Sequence, residues 1–123
     1  MAPFEKIRIE APDAATNYEQ AINWIERASK INPKNPEPYN ELGNLYGFKG
    51  DFKNSFSNFQ KAIALSPDKH SYHYNLGIAY RSANMISEAI ASFKKCYDLQ
   101  PGSDLGKESL KLIESLKSNN SAK

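Results

Sequence analysis

Cysteine is almost absent from this chain. Cys96 is the only one in 123 residues, so there is no internal disulfide and no cysteine-built zinc site. Long apolar runs are missing too, and nothing approaches the ~20 consecutive apolar residues of a membrane-spanning helix. The N-terminus shows no charged stretch followed by an apolar core, so no secretory signal is read and a cytoplasmic address is expected. Charge of one sign is equally scarce. Sixteen basic and 14 acidic residues are interleaved and leave a net charge of +2, without the basic stripe that would attract nucleic acid or a membrane surface. A phosphate-cradling glycine loop and a serine-nucleophile motif are both lacking, so neither an enzyme nor a small-molecule substrate is expected. The length fits one domain.

What is present is a repeat. Pro33, Pro67 and Pro101 stand 34 residues apart, each just after an apolar-periodic run. The same interval separates Ala28, Ala62 and Cys96, and the pairs Leu42/Leu76, Gly43/Gly77, Tyr46/Tyr80 and Phe59/Phe93. Tyr39, Leu42, Gly43 and Tyr46 recur at spacings of three and four, which puts them on one face of a helix. Gly50-Asp51 breaks that helix. Ser55, Phe56, Phe59, Ala62 and Ile63 then mark a second one, stopped by Ser66-Pro67 because proline cannot continue a helix. The next period has Tyr74, Leu76, Gly77 and Tyr80, a break near Asn84, then Ile86, Ala89, Phe93 and Cys96 before Gln100-Pro101.

This pattern resembles the tetratricopeptide repeat, whose 34-residue helix–turn–helix carries an aromatic, Leu-Gly, Tyr, Ala, Phe, Ala and Pro at fixed offsets. Ser55 stands where alanine is usual, His73 replaces the first aromatic, and Cys96 replaces the second alanine. The resemblance implies an all-α, right-handed solenoid of about two and a half repeats with a C-terminal capping helix. The expected organisation is an N-terminal arm (1–12), the second helix of a partial first repeat (13–35), repeats over 36–69 and 70–103, a capping helix (104–117) and a disordered tail (118–123). Pro12 interrupts the place of the first repeat's first helix, and Asp13 is a candidate cap for a longer helix from Ala14 to about Ile31. In the capping helix Leu110, Ile113 and Leu116 are expected to cover the preceding repeat.

Gly43 and Gly77, with Ala28, Ala62 and Ala89 opposite, are read as the small residues that let helices approach, and Tyr46, Phe59, Tyr80 and Phe93 as the fillers between them. His70 and His73 lie one turn apart, but no third ligand accompanies them. Ring packing for His73 and a solvent-exposed His70 are expected, with no metal and no cofactor. Cys96 falls at a packing position and reads as a buried, inert thiol. Asn119-Asn120-Ser121 has the form of a glycosylation acceptor and is expected to be unused.

The family likeness implies that the first helix of each pair lines a concave groove in which a protein or peptide partner binds. Residues of those helices that turn away from the packed stripe are Asn40, Asn44, Tyr74, Asn75, Ile78 and Arg81, joined by Glu37, Glu41, Phe48, Ser71 and Ser82. Six of them, Asn40, Asn44, Tyr74, Asn75, Ile78 and Arg81, are the expected partner-binding residues. The lysine–asparagine clamp by which some relatives hold acidic chaperone tails is poorly matched, since Asn40 stands where a clamp lysine would be and Glu37 and Glu41 would repel an acidic tail. The expected function is a non-catalytic adaptor or scaffold. The alternatives are a self-assembling scaffold (a homo-oligomer through the incomplete first repeat) and a fragment of a longer multi-repeat protein.

Overall fold

A computed structural model describes residues 14–121, and these form six α-helices with no strand among them. They are α1 (Ala14–Ile31), α2 (Pro36–Lys49), α3 (Phe52–Leu65), α4 (His70–Ser82), α5 (Ile86–Leu99) and α6 (Asp104–Ser121). The arm expected at 1–12 lies outside the described residues.

The local sequence sets each helix end. Asn35 caps α2 by accepting the Glu37 backbone N–H at 3.1 Å, and Pro36 sits in the first turn, where no backbone donor is needed. At the other end Gly50 takes φ 88°, and the N–H groups of Gly50 and Asp51 return to the carbonyls of Gly47 and Tyr46. Asp51 then caps α3 through the Asn54 N–H. One period later the same turn recurs with Asn84 in the left-handed position at φ 61°, its N–H and that of Met85 returning to Arg81 and Tyr80. Asparagine is among the few non-glycine residues that take this conformation at modest cost. The helices that precede the periodic prolines end at Ile31, Leu65 and Leu99.

Close approach inside each pair depends on glycine. A Cβ at Gly43 would lie 2.6 Å from the Phe59 ring, and one at Gly77 would lie 2.7 Å from the Phe93 ring. Ser55, fully buried, donates to the Gly43 carbonyl at 2.7 Å, so the hydroxyl that replaces the usual methyl is satisfied. Phe59, Leu76 and Ala79 form one core cluster with Phe56, Ile63 and Tyr80 against it. Ala89, Phe93 and Ile113 form the next, joined by Tyr74, Ile78, Leu112 and Leu116. Cys96 is completely buried, and burial pushes its thiol pKa up.

Several expectations need correction. Leu110 is 38% exposed instead of covering the preceding repeat. It occupies the register of Leu42 and Leu76, both buried, with Leu76 in the cluster that includes Phe59 of the preceding pair, and among the described residues no helix follows α6. Ile113, in the register of Ala79, faces back onto α5 and is buried. Helix α6 continues to Ser121, past the expected stop at 117, because none of the intervening residues is a helix breaker. Ala28 is exposed, since no described residue packs over that side of α1. The fully buried aromatic of α4 is Tyr72, 1% exposed, which the periodic stripe did not single out. His70 is half-buried, whereas His73 is buried with Nε2 at 2.9 Å from the Pro67 carbonyl.

Candidate protein-binding groove

Within each pair the helices lie flat against one another, and the first helices also meet in series. Helix α2 touches α4, and α4 touches α6. This inner row forms a groove with two steps, one between α2 and α4 and one between α4 and α6.

The first step holds a small open pocket of about 50 Å³, lined by Gly43, Asn44, Gly47, Phe48, Phe52, Phe59, Asn75, Ile78, Ala79 and Ser82. No side chain in that set is charged. Its floor is the Phe59 ring, brought there by the bare Gly43 backbone. Asn75 Nδ2 donates to Asn40 Oδ1 at 3.0 Å and ties α4 to α2 beside the pocket. Phe48, 69% exposed, stands at the rim with its ring 6.4 Å from that of Tyr18.

The candidate residues divide between the two steps. Asn44, Asn75 and Ile78 line the pocket, and Asn40 joins them through its amide bond. Tyr74 lies on the other side of α4. Its ring packs on Phe93 with centroids 5.7 Å apart, so core packing accounts for part of this side chain, contrary to the sequence reading. Burial raises its phenol pKa, Glu108 of α6 adds to the rise, and Arg81 opposes it. Arg81 is exposed. Glu37 is engaged elsewhere, accepting the Tyr72 hydroxyl at 2.7 Å. The sequence pattern does not mark Gly47 and Phe52 as groove residues, yet both line the pocket. Gly47 is a second glycine four residues after Gly43, a signal that α2 is thin on that face as well.

Nothing in the groove provides an acid–base pair, and no group of three or more His, Cys, Asp or Glu suited to a metal occurs among the described residues. No described helix is long and apolar enough to cross a membrane.

Comparison with known proteins agrees with this geometry. Sequence profiles described as "TPR repeat" and "Tetratricopeptide repeat" match residues 16–50, 36–69 and 70–103. The human protein O-mannosyl-transferase TMTC1 is 27% identical over 104 residues, which are 81% of this chain and 12% of that protein. The chain thus spans about an eighth of that relative's length. Among solved structures, the first TPR of Spaghetti (RPAP3) bound to the HSP90 peptide SRMEEVD superposes with a TM-score of 0.73 at 19% identity, covering 85% of this chain and 82% of that one. PcrH in complex with the chaperone-binding region of PopD superposes with a TM-score of 0.78 at 9% identity, covering 86% and 83%. The register of glycines, aromatics and prolines, the six helices and the three matched profiles together make this chain a member of the tetratricopeptide repeat family.

Proposed function

We propose that the chain is a non-catalytic interaction module that holds a peptide or helix of a partner protein along its concave groove. The observation that carries this reading is the uncharged pocket between α2 and α4, floored by Phe59 and flanked by the Asn40–Asn75 amide pair. An apolar side chain of the partner would enter the pocket, and the amides, which both donate and accept, suit the peptide backbone beside it. Tyr74 and Arg81 extend the contact to the second step. The same fold holds a partner segment in the RPAP3 structure bound to the HSP90 peptide SRMEEVD and in the PcrH complex with a region of PopD, which supports a binding role for this chain. The absence of a cation from the pocket lining argues for an apolar anchor and against an acidic tail.

The test is selection of binders from a random peptide library, followed by affinity measurement on groove variants. Ile78→Glu and the pair Tyr74→Ala/Arg81→Ala should each weaken capture at least tenfold, the loss of a contact worth about 1.4 kcal/mol. Lys61→Ala/Lys94→Ala, on the outer face, should leave it unchanged. Peptides whose affinity ignores Ile78 and Tyr74/Arg81 would move the site to another surface.

A further inference from the structure

The groove has two apolar places, one helix step apart. The first is the pocket between α2 and α4, where Phe48, Phe52 and Phe59 stand around a space of about 50 Å³. That is room for roughly three to five water molecules, hence for a side chain of three or four heavy atoms and not for an aromatic ring. The 34-residue register carries Asn44 and Phe48 of α2 onto Ile78 and Ser82 of α4, and those onto Leu112 and Leu116 of α6. The second place is therefore the half-buried trio Ile78, Leu112 and Leu116, which packs on the cluster of Ala89, Phe93 and Ile113.

A polar lane runs beside the apolar one. The register positions of Asn40 and Asn75 recur as Asn40, Tyr74 and Glu108 and as Glu41, Asn75 and Ser109. Neither series contains a Lys or Arg, and Glu41 and Glu108 are both exposed. The lane is thus acidic, and Arg81 lies nearly two turns further along α4. Asn40 gives its Oδ1 to Asn75, which leaves its two N–H donors for a ligand.

We infer, resting on the groove reading above, that the ligand is an extended peptide in the polyproline II conformation. It carries proline at positions i and i+3 and a Lys or Arg beside them. Contacting helices stand about 9 Å apart, and α2 touches α4 as α4 touches α6. Polyproline II repeats every three residues and rises about 3.1 Å per residue, so i and i+3 share one face about 9.3 Å apart and reach both apolar places. In a β-strand the same two residues point to opposite sides. An α-helix matches the step with residues seven apart, but its backbone groups are already paired and would leave the Asn40 donors to water. A polyproline II backbone offers them unpaired carbonyls, and its prolines suit a site lined by aromatic rings. The basic side chain meets Glu41 or Glu108.

Two displayed peptide libraries test this on the full chain. One is fixed as Pro-x-x-Pro, the other has apolar residues at the helical spacing i, i+3, i+4 and i+7, and all other positions are random. The proline library should yield binders enriched in Lys or Arg. Their affinity should fall about tenfold or more on Ile78→Glu and about threefold on Glu108→Lys, with far-UV circular dichroism unchanged in both variants. An empty proline library, or binders from it that Glu108→Lys leaves unaffected, would overturn the inference. Binders from the helical library alone, weakened by Ile78→Glu, would overturn it while the groove reading stands. Binders from either library that ignore Ile78→Glu would remove the groove reading and this inference with it.

Discussion

Asn75 donates its side-chain amide to Asn40 at 3.0 Å, and the bond joins two helices that are not partners in any helix pair. It lies between the first helices of successive repeats, at the edge of the pocket. The spacing of α2 and α4, and with it the width of the groove, is therefore tied to a side-chain hydrogen bond as well as to apolar packing. Replacing both residues by alanine in a double-mutant cycle should reveal a coupling of about 0.5–1.5 kcal/mol, the usual net value of such a bond. Urea unfolding of the four proteins measures it, and strictly additive losses would mean the two amides do not cooperate in solution.

Gly77→Ala should cost about 1–3 kcal/mol, because its Cβ would lie 2.7 Å from Phe93 in a core that has nowhere to shift. Adding Phe93→Leu should recover part of that loss. By contrast, a Cβ at Gly102 meets nothing within 4 Å, so Gly102→Ala should be neutral or stabilise by up to about 1 kcal/mol through the unfolded chain. Thermal unfolding of the three variants checks the ordering.

Helix α6 should respond very differently at two nearby leucine-type positions. Ile113→Ala empties a site against Ala89 and Phe93 and should cost about 2–4 kcal/mol. Leu110→Lys, on the solvated side, should stay within about 0.5 kcal/mol. Deleting residues 105–123 should expose the apolar face beneath Ile113 and promote aggregation, visible by light scattering. An unchanged, monomeric truncated protein would show that α6 is passive.

Tyr72 sets an alkaline limit on stability. Burial, followed by its hydrogen bond to Glu37, raises the phenol pKa above its ordinary value of 10.0. The folded state therefore holds the proton more tightly than the unfolded state. That contribution is complete below pH 10 and is lost as pH climbs toward the raised folded value. Tyr72→Phe should lower stability by about 1.5 kcal/mol at neutral pH and flatten the decline above pH 10. Denaturant titrations at pH 7 and in the alkaline range would show whether the two curves converge.

Cys96 should be slow to react. Burial leaves the thiol fully covered and raises its pKa, so alkylation by iodoacetamide at neutral pH should follow global unfolding. Fast labelling of the native protein would indicate local opening between α5 and α6.

While the structure set Phe59 and Phe93 against Gly43 and Gly77, the 34-residue register alone determined the helix pairs, their stops and the glycines as points of close approach. Those features follow from local rules: proline ends a helix, glycine or asparagine accepts the left-handed turn, and apolar spacing of three and four marks one face. The tertiary structure decided which side of each first helix is spent on packing and which is left to the groove. Helical spacing could not place Tyr74 over Phe93, Tyr72 beneath Glu37 or Gly47 in the pocket wall, because these contacts depend on where the neighbouring pair is docked. The same limit explains Leu110 and Ala28. Each repeats a buried position in sequence, yet its exposure is settled by whether another helix stands opposite, and that is a property of the packed array.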